Sequence, residues 1–213
     1  MTIRARLLAA IVLTVLGPLV TIGVALSAFG TLGDRFDDVQ LANAHSRLAL
    51  ELKFAVTDMN GWQTAYGYDG GRNRRHFEAS AREAESLLAM ALRELTAPGE
   101  RALLFQLDGA FRRFMDLDAQ AWAALEDGRP GETKRILLGP ELDHFARMAR
   151  LADDLADAQD REVAAARTGF DDARDDAKRE LVAVAIGAGV VIVLLLLTVR
   201  DVVRLALERR DAA

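Results

Sequence analysis

Two stretches without a charge set most of the limits on what this chain can fold into. Leu7 to about Phe29 holds no ionisable residue, and the next one is Asp34; Leu181 to Val199 also carries none. Each reaches the roughly 20 apolar residues a helix needs to cross a hydrocarbon core of ~30 Å. Gly17-Pro18 inside the first stretch is tolerated in lipid, where neighbouring groups satisfy the freed carbonyl. The expectation is a chain that crosses a membrane twice.

The flanks orient it. Arg4 and Arg6 precede the first stretch with no acid beside them, and Arg200, Arg204, Arg209 and Arg210 follow the second against Asp201, Glu208 and Asp211. A positive excess marks the cytoplasmic side. The flanks carry a surplus of three positive charges. The whole chain stands at -5, so the part between carries about -8 and is placed outside. The expected location is the inner (plasma) membrane with both termini cytoplasmic. Residues 1–29 form the N-terminus and first span, 30–180 an extracytoplasmic domain, 181–199 the second span and 200–213 a short cytoplasmic tail. The rival is a cleaved signal peptide over Met1 to Ser27, with Ala25-Leu26-Ser27 as its cleavage site. Its basic start fits, but the apolar stretch exceeds the about 7–15 residues usual in such a leader. Cleavage would leave a domain anchored by its C-terminal helix alone.

Between the spans the pattern is helical throughout. Glycine and proline are few, and alanine, leucine, arginine and acids dominate, which suits long helices with charged outer faces. No alternating strand run bounded by turn residues occurs. The chain has no cysteine, which excludes disulfides and thiolate metal sites. Helix 1 continues out of the first span to about Tyr68, with a seam at Leu41, His45, Leu48, Leu52, Ala55, Met59, Trp62 and Tyr66. Those steps of four and three are the repeat of a left-handed bundle. Gly70-Gly71 ends it. Helix 2 runs from about Asn73 to Leu95 on Phe77, Ala81, Ala84, Leu88, Ala91 and Leu95. Thr96 is read as an N-cap and Pro98 as the first turn of helix 3. Helix 3 reaches Glu126 on Leu104, Leu107, Phe111, Phe114, Ala121 and Leu125, with Asp118 on the same stripe.

Asp127 to Gly131 breaks the chain, and a short helical piece from Glu132 to Leu138 follows before Gly139-Pro140. Helix 4 starts near Glu141 and runs into the second span. Its seam is Met148, Leu151, Leu155 and Ala158, then Val163, Ala166, Phe170, Ala173, Ala177 and Leu181. The step of five after Ala158 is a slip of register, which locally changes the supercoil. Helices 1 and 4 each extend ~60 Å beyond the membrane at ~1.5 Å per residue. The expected fold is all-α: a membrane-anchored up-down-up-down four-helix bundle standing on two transmembrane helices.

One stretch late in helix 1, Asp58-Met59-Asn60-Gly61-Trp62-Gln63-Thr64-Ala65-Tyr66-Gly67-Tyr68-Asp69, carries a Trp-Gln followed by Tyr and Asp. Gly131-Glu132-Thr133-Lys134-Arg135-Ile136-Leu137-Leu138-Gly139-Pro140-Glu141, with Phe145, leads into helix 4. In these stretches and in its layout, from about residue 5 to 205, the chain resembles the four-helix-bundle sensory module of methyl-accepting chemotaxis receptors and related sensor proteins. The resemblance implies a homodimer paired through helices 1 and 4, and a signalling partner in the cytoplasm or membrane. In that family the second span leads through a HAMP linker, with a proline soon after the membrane, to an output domain. Here the last proline is Pro140 and the sequence stops about 14 residues past the span. The resemblance therefore extends to sensing and topology, not to chemotaxis output.

The tryptophans and tyrosines concentrate at one level. Trp62, Tyr66 and Tyr68 lie late in helix 1 and Trp122 late in helix 3. The starts of helices 2 and 4 share that level and bring Arg72, Arg74, Arg75 and His76, then His144 and Arg147. Facing helices build ligand sites in this way. The candidate ligand-binding set is Asn60, Trp62, Gln63, Tyr66, Arg75, Trp122, His144 and Arg147. An arginine pair beside aromatics suits a carboxylate with an apolar or aromatic body; a protein ligand at the tip is the other option. The competing reading is that the aromatics fill the core while the arginines are solvated or pair with acids.

Other features carry less. Glu141-Leu142-Asp143-His144 has Glu-x-x-His spacing, but a di-iron bundle needs two such motifs and two more glutamates, and neither His45 nor His76 has a Glu three positions before it. His45 reads as a hydrogen-bonded core or interface residue. No metal or cofactor is expected. Asp171 to Glu180 reads as a solvated face with intrahelical ion pairs. No nucleophile elbow, phosphate loop or paired zinc spacing occurs, so no enzymatic activity is expected. An acidic exterior disfavours nucleic acid. Two functions remain: a sensory and transmembrane module lacking its own output domain, or a membrane scaffold or interaction protein without a small-molecule ligand.

Overall fold

The computed structural model describes residues 3–211, and the side chains of 11–12, 14–201, 203 and 204. Arg4, Arg6, Glu208, Arg209, Arg210 and Asp211, on which the orientation partly rests, have side chains outside that set. Every element among the described residues is helical: α1 (Ile3–Asp69), α2 (Arg74–Glu94), α3 (Pro98–Glu126), α4 (Pro130–Ile136), a π-helical turn (Leu137–Glu141) and α5 (Leu142–Asp211). The structure divides into two units, one of residues 39–166 and one of residues 3–38 with 167–211. Both α1 and α5 contribute to each unit as single helices.

The unit of residues 39–166 has one hydrophobic core drawn from four helices. It contains Leu48, Leu52, Met59 and Tyr66 of α1, Phe77, Ala84 and Leu88 of α2, Leu104, Leu107, Phe111 and Phe114 of α3, and Met148, Leu151 and Leu155 of α5. Two predicted seams reappear as buried stripes, the second except for half-buried Leu125. All six positions from Phe77 to Leu95 are buried, as are Leu104, Leu107, Phe111, Phe114, Asp118 and Ala121. Each fully buried Leu or Phe contributes roughly 1.5–3 kcal/mol. Cross-helix contacts fix the pairings. Lys53 meets Asp153 at 2.8 Å and Ser46 meets Asp160 at 3.2 Å, so α1 and α5 pass each other in opposite senses. Ser80 donates to Asp58, tying α2 to α1.

Some seam positions differ from the expectation. Leu41 is 57 % exposed, because Ala42 takes the inward position there. Ala158 is only half-buried, and Gln159 is fully buried in its place. The α5 stripe therefore runs Leu155, Gln159, Val163, Ala166: two steps of four where a step of five was expected. Consecutive fours are a stutter, which relaxes the left-handed supercoil. Thr96 does not cap α3. The cap position is Ala97, whose N–H donates to Glu100 at 3.1 Å.

At the other end of α1, Gly70 and Gly71 have φ of 70° and 93°, a conformation open to glycine at little cost. The Gly71 N–H closes the helix on the Tyr66 carbonyl at 2.9 Å. The short piece after Gly131 begins earlier than expected, at Pro130, and its continuation to Glu141 is π-helical, with Gly139 non-helical at φ -116°, ψ -109°.

In the second unit, α1 and α5 each hold a stretch long and apolar enough to cross a membrane. Its apolar side chains face outward: Leu19, Ile22, Leu26, Ile186, Ile192 and Leu196 are all more than half exposed. Pro18 sits within α1, and the Thr21 hydroxyl donates to the Gly17 carbonyl at 3.0 Å. The acidic tract forms ion pairs along α5, Arg174–Asp171 at 3.1 Å, Lys178–Asp175 at 3.0 Å and Arg179–Asp176 at 3.2 Å, all on exposed side chains.

Candidate functional site

Asp118 lies on the α3 core stripe between Phe114 and Ala121, where the repeat leaves it 1 % exposed. A carboxylate taken out of water is costly unless it is paired and hydrogen-bonded, and here two donors meet it in three hydrogen bonds. Arg74, at the first position of α2, places one guanidinium nitrogen 2.9 Å and 2.8 Å from the two carboxylate oxygens. The Tyr66 hydroxyl, from the last turns of α1, donates to the same carboxylate.

The guanidinium is itself enclosed by aromatics. Its central carbon stands 5.0 Å from the Tyr66 ring centre, 4.8 Å from Phe77 and 4.9 Å from Trp122. Cation–π contacts within about 6 Å gain strength when desolvated. The rings also pack on one another: Tyr66 meets Phe77 edge-on at 5.5 Å and Trp122 edge-on at 5.7 Å. Arg74 also reaches Glu78, one turn along α2, at 3.1 Å. Three helices thus close a box around one cation.

Glu141, the last residue of the π-helical turn, is the second buried carboxyl. It is fully buried and neither of its oxygens has a hydrogen-bond partner. The Gln63 amide nitrogen, also buried, lacks a partner. The Glu141 carboxyl is raised to about 8, first by burial and then by the nearby Asp118 charge, with Gln63 and Arg74 opposing. Burial likewise pushes Asp118 up, against the Tyr66 hydroxyl and the Arg74 guanidinium, with a net rise. Burial pulls Arg74 down, but the Asp118 carboxylate outweighs it and the net direction is upward. The Tyr66 phenol is raised, first by burial and then by the negative charge of Asp118.

Two openings adjoin this layer. A cavity of about 40 Å³, room for a few waters, is lined by Asn60, Gln63, Thr64, Tyr68, Lys134 and Leu137 among others. A groove of about 540 Å³ between α2 and α3 has Arg74, Phe77, Phe111 and Met115 in its wall, with Arg82, Glu85 and Asp116 beside them.

Of the eight residues read from sequence, Tyr66, Gln63 and Trp122 belong to the layer, and Asn60 lines the cavity beside Gln63. Trp62 stacks on His76 at 4.6 Å and 24°. His144 is half-buried, and its Nδ1 is buried without a partner. Arg75 and Arg147 are exposed on the helix surface. The expected arginine pair is therefore not assembled: the layer's cation is Arg74 alone, already committed to Asp118. An acid on an apolar stripe was the signal for Asp118. Glu141 had only its Glu-x-x-His spacing. No group of three potential metal ligands occurs among the described residues.

No protein-family model matches the chain, and no curated protein or solved structure matches it either.

Proposed function

We propose that the chain is the extracytoplasmic sensory and transmembrane module of a bacterial, chemoreceptor-like signal-transduction protein. In this reading residues 39–166 belong to an up-down-up-down bundle outside the inner membrane, both termini are cytoplasmic, and two copies pair. The opposite sense of α1 and α5 at Lys53–Asp153 and Ser46–Asp160 supports the bundle. The observation that carries the sensory reading is the buried polar layer joining α1, α2 and α3 at Asp118, with Glu141 beside it at the start of α5. α5 is unbroken from Leu142 to Asp211 and holds both the stutter at Gln159 and the apolar stretch. A stimulus that favours one packing of the layer would favour one position of α5, and a ligand does this only through its differential affinity for the two states.

The scaffold reading also has an observation behind it. The layer's cation is already held by Asp118, while Leu50 and Phe54 of α1 and Phe105 of α3 are exposed, as a protein partner's surface would need. Single cysteines in this cysteine-free chain separate the readings. Thr57→Cys should label from outside intact cells with an impermeant maleimide, and Arg200→Cys only after permeabilisation; the reverse pattern removes the topology. Disulfide crosslinking between copies through cysteines at Val190 to Val193 should change when Asp118→Asn is added. An unchanged pattern would favour the scaffold.

A further inference from the structure

Glu141 is the buried carboxyl of this layer that no hydrogen bond of ordinary length meets, although the Gln63 amide, itself buried and unpartnered, lies close enough to act on it. Asp118 takes three hydrogen bonds, whereas both Glu141 oxygens take none and have no exposure. The charged and titratable groups around it are Tyr66 from α1, Arg74 from α2 and Asp118 from α3, with His144 one turn along α5. Lys134 of α4 lines the adjoining cavity and stands over the Tyr68 ring at 5.8 Å. Arg74 is the only cation among the groups acting on Glu141, and Asp118 already holds it. An ionised Glu141 would add a second negative charge to a dry layer with one positive charge. Its backbone neighbourhood is irregular: Glu141 ends the π-helical turn, two residues after non-helical Gly139, and α5 begins at the next residue.

We propose that Glu141 is a proton-operated latch, neutral and enclosed when protonated, and released toward water with the start of α5 when its proton passes to solvent. The chemistry is one O–H bond broken, the proton leaving to bulk base and the electron pair remaining on the carboxylate. A buried charge without a partner must find water or a counter-ion, and a cavity lined by Gln63 and by Leu142, the residue after Glu141, adjoins the layer. The upward shift of the Glu141 carboxyl to about 8 by burial agrees with a latch closed at neutral pH and open in mild alkali. The latch concerns the proposed sensory layer but does not rest on that reading, since a chain that signals nothing would still titrate here.

Both tryptophans lie beside the layer and report on it. The experiment is a fluorescence titration of the full chain in lipid nanodiscs from pH 6 to 9. The parent should show a one-proton transition centred near 8, the fraction opened rising about tenfold per pH unit below the midpoint. Glu141→Gln, permanently neutral, should stay flat with its pH 6 signal. A flat parent, or a transition persisting in Glu141→Gln, would overturn the latch. So would a transition abolished by His76→Gln alone, which would belong to the Trp62–His76 stack. Difference infrared spectroscopy of the parent needs no variant: a buried protonated carboxyl band should disappear over the same range, and a spectrum without that loss would also overturn the proposal.

Discussion

Replacing Asp118 by alanine strikes the layer at its most connected point. The substitution removes the acceptor for both Arg74 and the Tyr66 hydroxyl. Arg74 is only 16 % exposed and is enclosed by three aromatic rings, so water replaces its lost acceptor only in part. Its second acid, Glu78, sits on the more exposed side at 3.1 Å and compensates only in part. Removing one partner of a buried ion pair costs about 3–5 kcal/mol, most of it from the charge left behind. With Glu78 as partial compensation, about 3 kcal/mol is expected. For a protein of this length that lowers Tm by roughly 6–12 °C.

The assay is thermal unfolding of the full chain in nanodiscs, followed by circular dichroism, with Arg74→Met and the double variant alongside. If the loss arises from an orphaned guanidinium, Arg74→Met/Asp118→Leu should be more stable than Asp118→Ala, because it removes the unpaired charge as well as the pair. A Tm within about 2 °C of the parent for Asp118→Ala, or a double variant no better than the single, would refute the claim that this pair is buried and coupled.

The remaining expectations follow from other parts of the fold. Glu141 contributes stability that is complete below its ordinary 4.5 and is lost as pH rises to about 8, so the stability difference between parent and Glu141→Gln should move against the parent by up to about 3.5 kcal/mol between pH 5 and 8; equal pH profiles in urea titrations would exclude the buried carboxyl. Phe114→Ala, at a fully buried position, should cost about 3–5 kcal/mol in the same titrations. Gly71→Ala meets both a φ of 93° and the Trp122 ring, 2.9 Å from the added carbon; a cost of about 1–3 kcal/mol with a changed tryptophan spectrum is expected. Leu194→Arg places a charge in the second apolar stretch at about 2.5–3.5 kcal/mol for insertion, and should raise the fraction released by alkaline washing of membranes.

Residue type and spacing alone decided the elements. The absence of charge over Leu7–Phe29 and Leu181–Val199 marks the two stretches long enough to span, because bilayer thickness converts directly into residue count. The steps of three and four from Phe77 to Leu95 and from Leu104 to Ala121 fix which faces turn inward, because helical geometry returns those positions to one side. The α1 turn at Gly70-Gly71 was legible for the same local reason.

Which arginine enters the core was not legible. Arg74 and Arg75 are adjacent and chemically identical, and about 100° of helical rotation separates an enclosed cation from a solvated one. That choice depends on where α2 begins relative to Asp118, 44 residues away. The stutter through Gln159 was visible only as an interruption, because the pattern of apolar residues shows that a register shifts but not which polar side chain fills the gap. Gln159 fills it by donating to Glu100 of α3. Glu141 shows the same limit: its carboxyl and its place before α5 are in the sequence, but the burial that raises it comes from helices packed around it.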